Sequence, residues 1–189
     1  MNHQTHFFYA VPIPKEIKLI MKDHCEKLQQ SLPFNRWVHH EDLHITLAFL
    51  GFAPSDQLEK SLENVRTELK GNPSFSLQIN QLGIFGRKES PRIFWADTLK
   101  SDELQFVRKK VFTACEDAGF QLETRPFRPH ITLARKWTGD EPFHHERLDV
   151  WQELQPNPLA FLASEVVLFQ THLEKTPKYE VKKVFSLKK

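Results

Sequence analysis

The sequence predicts an α+β fold of two pseudo-symmetric lobes, each an antiparallel sheet with helices on its outside, around a central cleft. Three observations carry that expectation. The pentapeptide His44-Ile45-Thr46-Leu47-Ala48 returns as His130-Ile131-Thr132-Leu133-Ala134, and an internal repeat is weighed before other signals. The segments around the two copies follow one order (strand, helix, motif strand, helix, strand) over roughly 6–83 and again over roughly 92–187. No linker or low-complexity stretch interrupts the 189 residues, so 1–189 reads as one domain with an internal duplication.

Element by element, residues 1–5 are polar and expected to fray. The run 6–11 is a first strand stopped by Pro12 and Pro14. Ile17, Ile20, Met21, Cys25, Leu28 and Leu32 then fall at helical spacing until Pro33. A connection of mixed character, 34–42, delivers the chain into the first motif strand, which runs to about Phe52. Ser55 or Asp56 is the expected cap of a second helix with Leu58, Leu62, Val65 and Leu69 on one face. Gly71-Asn72-Pro73 ends it, and Phe75, Leu77 and Ile79 alternate as a strand.

In the second half, a turn region over 83–91 leads to a strand at 92–99. Ser101 caps a helix bearing Leu104, Val107, Val111 and Ala114, which Gly119 ends. Arg125-Pro126 and Arg128-Pro129 impose extended backbone before the second motif strand opens at His130. A helix over 145–154, a strand over 164–170, a turn near 175–177 and a last strand over 179–187 complete the expectation.

Composition narrows the setting. Hydrophobic content of 40% with 26% charged residues describes an ordinary globular chain. No apolar run is long enough to span a bilayer, and the first residues lack a basic-then-apolar leader pattern, so no membrane association is expected. Two cysteines, Cys25 and Cys115, each in a helical pattern, argue against a disulfide framework and for a reducing cytoplasm. A net charge of +2 is too mild for a protein that coats nucleic acid, so any nucleic-acid partner is gripped locally. A monomer is expected.

The chemistry sits in the repeat. On a strand, alternate side chains share a face, so His44 and Thr46 point one way and Ile45 and Leu47 the other; the same holds for His130 and Thr132. Two such strands side by side present two imidazoles and two hydroxyls to one cleft. Histidine is acid or base near neutrality, and one imidazole taking a proton from water while the other protonates a leaving oxygen suits in-line displacement at phosphorus. The Thr46 and Thr132 hydroxyls are donors for non-bridging oxygens. Arg125, Arg128, Arg135 and Lys136 crowd around His130, and guanidinium forks match phosphate oxygens. Strict alternation turns Arg135 away from His130; a bulge, or a strand ending near Ala134, would return it.

These residues resemble a known family. The paired His-Ile-Thr-Leu motifs, the string from His44 to Gly51 and the string from Arg125 to Arg135 resemble the two-histidine (2H) phosphoesterase superfamily. Within it they are similar to the RNA 2′,3′-cyclic phosphodiesterase branch (LigT/ThpR-like), first named for 2′-5′ RNA ligase activity. Phe7-Phe8-Tyr9-Ala10 before Pro12 resembles that family's opening strand, and Arg92-Ile93-Phe94-Trp95 its mid-chain strand, so the likeness covers the chain. The resemblance implies hydrolysis of RNA 2′,3′-cyclic phosphate ends to 2′-phosphates without a metal or other cofactor. By position His44 would be the proton donor to the departing 3′ oxygen and His130 the base that activates water. Thr46, Thr132 and Arg135 would bind the substrate phosphate.

Other readings stand beside this one. His39-His40 with His44, and His144-His145, are the histidines to weigh as metal ligands, but a zinc site wants three or four convergent donors and these lie on loops or at junctions. Phe8, Trp37, Phe49 and Phe85 are candidates for base stacking or for the core. The same site would act on 2′-5′ linked or small cyclic phosphates, would join ends when run in reverse, or would belong to a non-catalytic RNA-end binding module.

Overall fold

The computed structural model describes residues 5–189; the first four of the residues expected to fray lie outside it. The first half runs β1 (His6–Pro12), α1 (Lys15–Gln29), β2 (Phe34–Trp37), β3 (His44–Phe52), α2 (Ser55–Leu69) and β4 (Phe75–Arg87). The second runs β5 (Ser90–Thr98), α3 (Asp102–Asp117), β6 (His130–Trp137), α4 (Val150–Leu154), β7 (Leu159–Ala163), β8 (Glu165–Thr171) and β9 (Tyr179–Ser186). Short 3-10 turns at His40–Asp42 and His145–Asp149 precede β3 and α4.

The strands form two antiparallel sheets, in the orders β3-β1-β8-β9 and β2-β6-β5-β4-β7. The expected α+β architecture with two antiparallel sheets is therefore present, but the sheets and the sequence halves do not coincide. Each sheet pairs its motif strand with the strand that opens the same half (β3 with β1, β6 with β5) and lays a strand of the other half against that opening strand (β8 and β4 respectively). This exchange ties the halves into one body, and a single continuous cluster of buried residues runs from Tyr9 through Ile45, Phe94 and Ile131 to Trp151.

Local chemistry explains the helices. α1 buries Met21, His24, Cys25 and Leu28, and α3 buries Leu104, Val107, Val111, Ala114 and Cys115, each a single stripe at helical spacing. Ser101 caps α3 as expected, its Oγ accepting the Leu104 N–H at 3.1 Å, and Gly119 ends the segment at φ +96°. At α2 the expected cap is replaced. Pro54 holds the cap position, so Ser55 is already helical and no side chain caps the helix; a proline's fixed φ presets the entry instead.

Four further elements differ from the sequence expectation. The 34–42 connection contains β2, an edge strand too short to show alternation. The expected turn region at 83–91 is mostly ladder, with β4 reaching Arg87 and β5 starting at Ser90. Gly83 lies opposite Trp95, where a Cβ would meet the indole at 2.2 Å; the glycine makes room for a ring rather than turning the chain. β7 pairs with β4 at the sheet edge, hidden from sequence reading between Pro158 and the stronger β8 pattern. The helix expected over 145–154 is split into a 3-10 turn and α4, anchored by the fully buried Trp151.

Candidate active site

β3 and β6 bring the two motifs to opposite walls of one cleft of about 490 Å³, whose lining includes His44, Thr46, His130, Thr132 and Arg135. All five residues singled out in the sequence thus meet in one place. The burial patterns of the two strands match: His and Thr half-buried, the aliphatics between them buried, and then two buried residues in succession, Leu47-Ala48 and Leu133-Ala134.

That doublet marks a bulge in each strand. Along β1, Tyr9 pairs with Ala48 and Ala10 with Thr46, leaving Leu47 unopposed. Along β5, Phe94 pairs with Ala134 and Trp95 with Thr132, leaving Leu133 unopposed. An extra residue resets the alternation beyond it. Arg135, which strict alternation would turn away, therefore lines the cleft. By the same device Phe49, 55% exposed, lines the opposite wall.

The imidazoles are held alike. His44 Nδ1 lies 2.7 Å from the carbonyl oxygen of Asp42, and His130 Nδ1 lies 2.8 Å from that of Arg128. A carbonyl only accepts, so Nδ1 carries the proton in both rings and the neutral Nε2 holds a lone pair. The Thr46 hydroxyl donates to Nε2 of His44 at 2.9 Å and can reverse to accept if that nitrogen is protonated. Aromatic rings back both histidines. Phe8 lies 4.8 Å from His44 and Tyr179 stands edge-on to it at 5.2 Å. Phe85 stands edge-on to His130 at 4.9 Å, with Trp95 behind.

Burial pushes the His44 pKa down to about 4, against the opposing pull of the Asp42 carbonyl and carboxylate, while His130 and Lys18 add to the depression. His130 is also lowered, chiefly by burial, with the Arg128 carbonyl opposing and the Arg135 charge adding to the shift. Without an anion in the cleft both rings are neutral at pH 7. Negative charge arriving in the cleft favours the protonated form of each ring.

Three residues of the site carry no signal in the sequence. Asp42 is buried, and its carboxylate accepts the backbone N–H of Lys178 at 2.9 Å and of Tyr179 at 3.1 Å. It thereby fastens the start of β9 to the residue that holds His44. Tyr179 reaches the cleft from the far end of the chain, and Arg36 from β2, opposite Arg135. No motif marks any of them; only the fold brings them in. Conversely, Arg125 pairs with Glu123 at 2.9 Å and lies outside the cleft lining, as do Arg128 and Lys136. Phe8 belongs to the core beneath His44, and Phe85 supports His130. His39 and His40 pack ring to ring at 4.5 Å, and among the described residues no three His, Cys, Asp or Glu side chains come together as a metal-ligand set. Among those residues no helix is long and apolar enough to cross a membrane.

Comparison with known proteins adds an independent line. The profile of the 2′-5′ RNA ligase superfamily matches residues 20–175. An RNA 2′,3′-cyclic phosphodiesterase of Geobacillus stearothermophilus is 42% identical over 184 residues, which cover 97% of this chain and 58% of that protein. A protein of the same description from Bacillus subtilis (strain 168) is 36% identical over 180 residues, 94% of this chain and 93% of that one. This chain thus spans little more than half the length of the first relative and nearly all of the second. Among solved structures, Escherichia coli LigT complexed with 3′-AMP shares the fold at a TM-score of 0.76, with 23% identity over 98% of this chain and 99% of that one. TT0787 of Thermus thermophilus shares it at 0.77, with 23% identity over 96% and 97% of the two chains.

Proposed function

Because this chain belongs to the 2′-5′ RNA ligase superfamily, we propose that it hydrolyses RNA ends bearing a 2′,3′-cyclic phosphate to 2′-phosphomonoesters, by acid–base catalysis between His44 and His130 without a metal. The observation that carries this reading is the matched pair of imidazoles, each with Nδ1 tied to the carbonyl two residues back, so that both Nε2 atoms are left for proton transfer. The relatives described as RNA 2′,3′-cyclic phosphodiesterases supply the substrate class.

The charges around the two rings set their roles. The Asp42 carboxylate favours a cationic His44, and the Arg135 guanidinium favours a neutral His130. The cyclic phosphate monoanion adds the charge that outweighs His44's burial and loads it with a proton. His130 Nε2 then takes a proton from water as the water oxygen attacks phosphorus. The P–O3′ bond breaks, and His44 gives its proton to the departing 3′ oxygen. The product is a 2′-phosphate and a free 3′-hydroxyl, and the pair resets when His130 releases its proton to solvent and His44 takes one up. Each positioned acid or base contributes about 10²–10⁴ in rate. Thr46 and Thr132 donate to the non-bridging oxygens as charge builds there, Arg135 binds substrate phosphate, and Phe49 offers an exposed ring face.

The test is incubation with a short RNA ending in 2′,3′-cyclic phosphate, in EDTA, followed by identification of the product. A 2′-phosphate that disappears in His44→Ala and His130→Ala is the expected result. A 3′-phosphate would reverse the assignment of the leaving oxygen, and loss of activity on chelation would overturn metal independence. Retained RNA affinity in inactive variants separates an enzyme from an RNA-end binding module.

A further inference from the structure

The two motif histidines are tied to backbone carbonyls that are themselves held by different means. The carbonyl of Asp42 belongs to a 3-10 turn in which the Asp42 N–H donates to the His39 oxygen at 2.9 Å, and the Asp42 carboxylate is fastened to the start of β9. The carbonyl of Arg128 has no such frame. Across residues 121–129, among the described residues, no backbone group is hydrogen-bonded to another backbone group. Pro126 and Pro129 have no N–H to offer, and Arg125 bonds only within the segment, to Glu123. Yet His130 depends on this segment. The bond between Nδ1 and the Arg128 oxygen, at 2.8 Å, is the one hydrogen bond its ring makes among the described residues.

Side chains hold the segment instead. Phe127, next to Arg128, packs on the core and meets Arg108 of α3. The Arg108 guanidinium carbon lies over its ring, 5.0 Å from the centroid, and over the Phe112 ring at 4.0 Å. A guanidinium at such distances is attracted to an aromatic face. Arg108 has no competing partner: it forms no ion pair with a carboxylate among the described residues, and its Nε is buried without a hydrogen bond. An unpaired buried donor is unfavourable, and contact with two rings offsets it here. Arg108 lies outside the cleft lining, so it reaches the site only through Phe127.

We propose that Arg108 is a positioning residue for His130: through the Phe127 ring it holds the Arg128 carbonyl, which keeps the proton on Nδ1 and leaves Nε2 free to act. The role rests on the reading of His130 as the base, but the tether itself is measurable without turnover. With the carbonyl displaced, the ring samples the other tautomer, in which Nε2 carries the proton and cannot take one from water.

The experiment records ring-nitrogen NMR spectra of the full chain carrying labelled histidine, with both rings neutral and the signals assigned from His44→Gln and His130→Gln. The wild type should show His44 and His130 protonated at Nδ1. In Arg108→Gln, His130 should move toward the Nε2–H form while His44 stays as it is. In the same variant kcat on the cyclic phosphate should fall about tenfold, with KM within about twofold of wild type. Arg108→Lys, which keeps a cation over the rings, should restore part of the Nδ1–H population and part of kcat. Phe127→Leu, which keeps an apolar contact but removes the ring, should reproduce the response of Arg108→Gln, and combining the two should add nothing further. An unchanged His130 tautomer in both single variants overturns the tether. So does an equal change at His44 with a lowered Tm, which marks general loosening. A shift confined to His130, in a chain that turns over no cyclic phosphate, keeps the tether and overturns the phosphodiesterase reading instead.

Discussion

Phe49 stands in β3 where Arg135 stands in β6: each is the fifth residue after its motif histidine, and each lines the cleft beyond a bulged leucine. The two motif strands share a backbone bulge but not the side chain that follows it. One wall of the cleft ends in an aromatic ring, the other in a guanidinium paired across its ladder with a second. Two equal histidines thereby sit in unequal fields, and an unequal pair is what a reaction needing one acid and one base requires.

Removing either imidazole should therefore disable turnover without unfolding the chain. His44→Ala and His130→Ala are each expected to lower kcat by about 10²–10⁴, with thermal melts still cooperative. Both rings are half-buried at the cleft surface rather than in the core. A variant retaining more than a tenth of wild-type kcat on the cyclic phosphate would remove that histidine from the reaction.

The depressed pKa values set two pH dependences. In the free protein both histidines titrate below their ordinary range, His44 near 4. The profile of kcat/KM, which reports the free enzyme, should be bell-shaped with its optimum on the acid side of neutrality. That of kcat should lie at higher pH, because a bound phosphate raises both values. A rate climbing steadily into alkaline solution would exclude the pair. For stability the sign runs the other way from a histidine in an ion pair: between about pH 6.5 and 4 the unfolded chain binds the proton that folded His44 refuses, so stability falls as pH is lowered through that window. Denaturant midpoints at pH 7 and pH 5 should show wild type losing more than His44→Gln, by at most about 2 kcal/mol.

How much of this is legible beforehand follows from which interactions are local. The motif strands, the Ser101 cap and the α1 and α3 stripes depend on residues a few positions apart, and the sequence displays them. The ambiguity over Arg135 is real, because a bulge is a property of two strands: Leu133 is extra only relative to Phe94 and Trp95. In the folded chain the buried doublet Leu133-Ala134 betrays it, but an apolar pair in sequence has no such meaning alone. Asp42 and Tyr179 lie 137 positions apart, and the exchange of β4 and β8 between sheets depends on pairings no periodicity encodes. Gly83 reads as punctuation because its reason, the Trp95 ring, sits on the neighbouring strand.

Asp42 links His44 to the segment at the start of β9 that lines the cleft, and on the proposed reaction its carboxylate is a positioning group with two readouts. In Asp42→Asn the amide NH₂ faces a backbone N–H that has nothing to donate to, and the raising charge beside His44 is gone. Denaturation should show a loss of about 1–3 kcal/mol for the broken hydrogen bond. The kcat profile should shift to lower pH as His44 gives up its proton more readily. Unchanged stability together with an unchanged profile would confine Asp42 to its backbone carbonyl.

The last expectation concerns the support behind His130. Trp95 fills the space a side chain at Gly83 would need: an alanine Cβ would come within 2.2–2.6 Å of three indole carbons. The indole packs on Phe85 at 5.0 Å, and Phe85 meets His130 edge-on at 4.9 Å. Gly83→Ala must push the indole aside, and the push travels through two aromatic contacts to the imidazole. Overpacking of this kind costs about 1–3 kcal/mol, and kcat should fall with stability although Gly83 touches no substrate. Trimming the ring in the same chain, as Gly83→Ala with Trp95→Leu, should be less destabilising than the two single changes added together, because the alanine then occupies space the indole has left. If the double variant shows simple additivity, the indole is not what excludes a side chain at position 83, and the shelf behind His130 is held by other contacts.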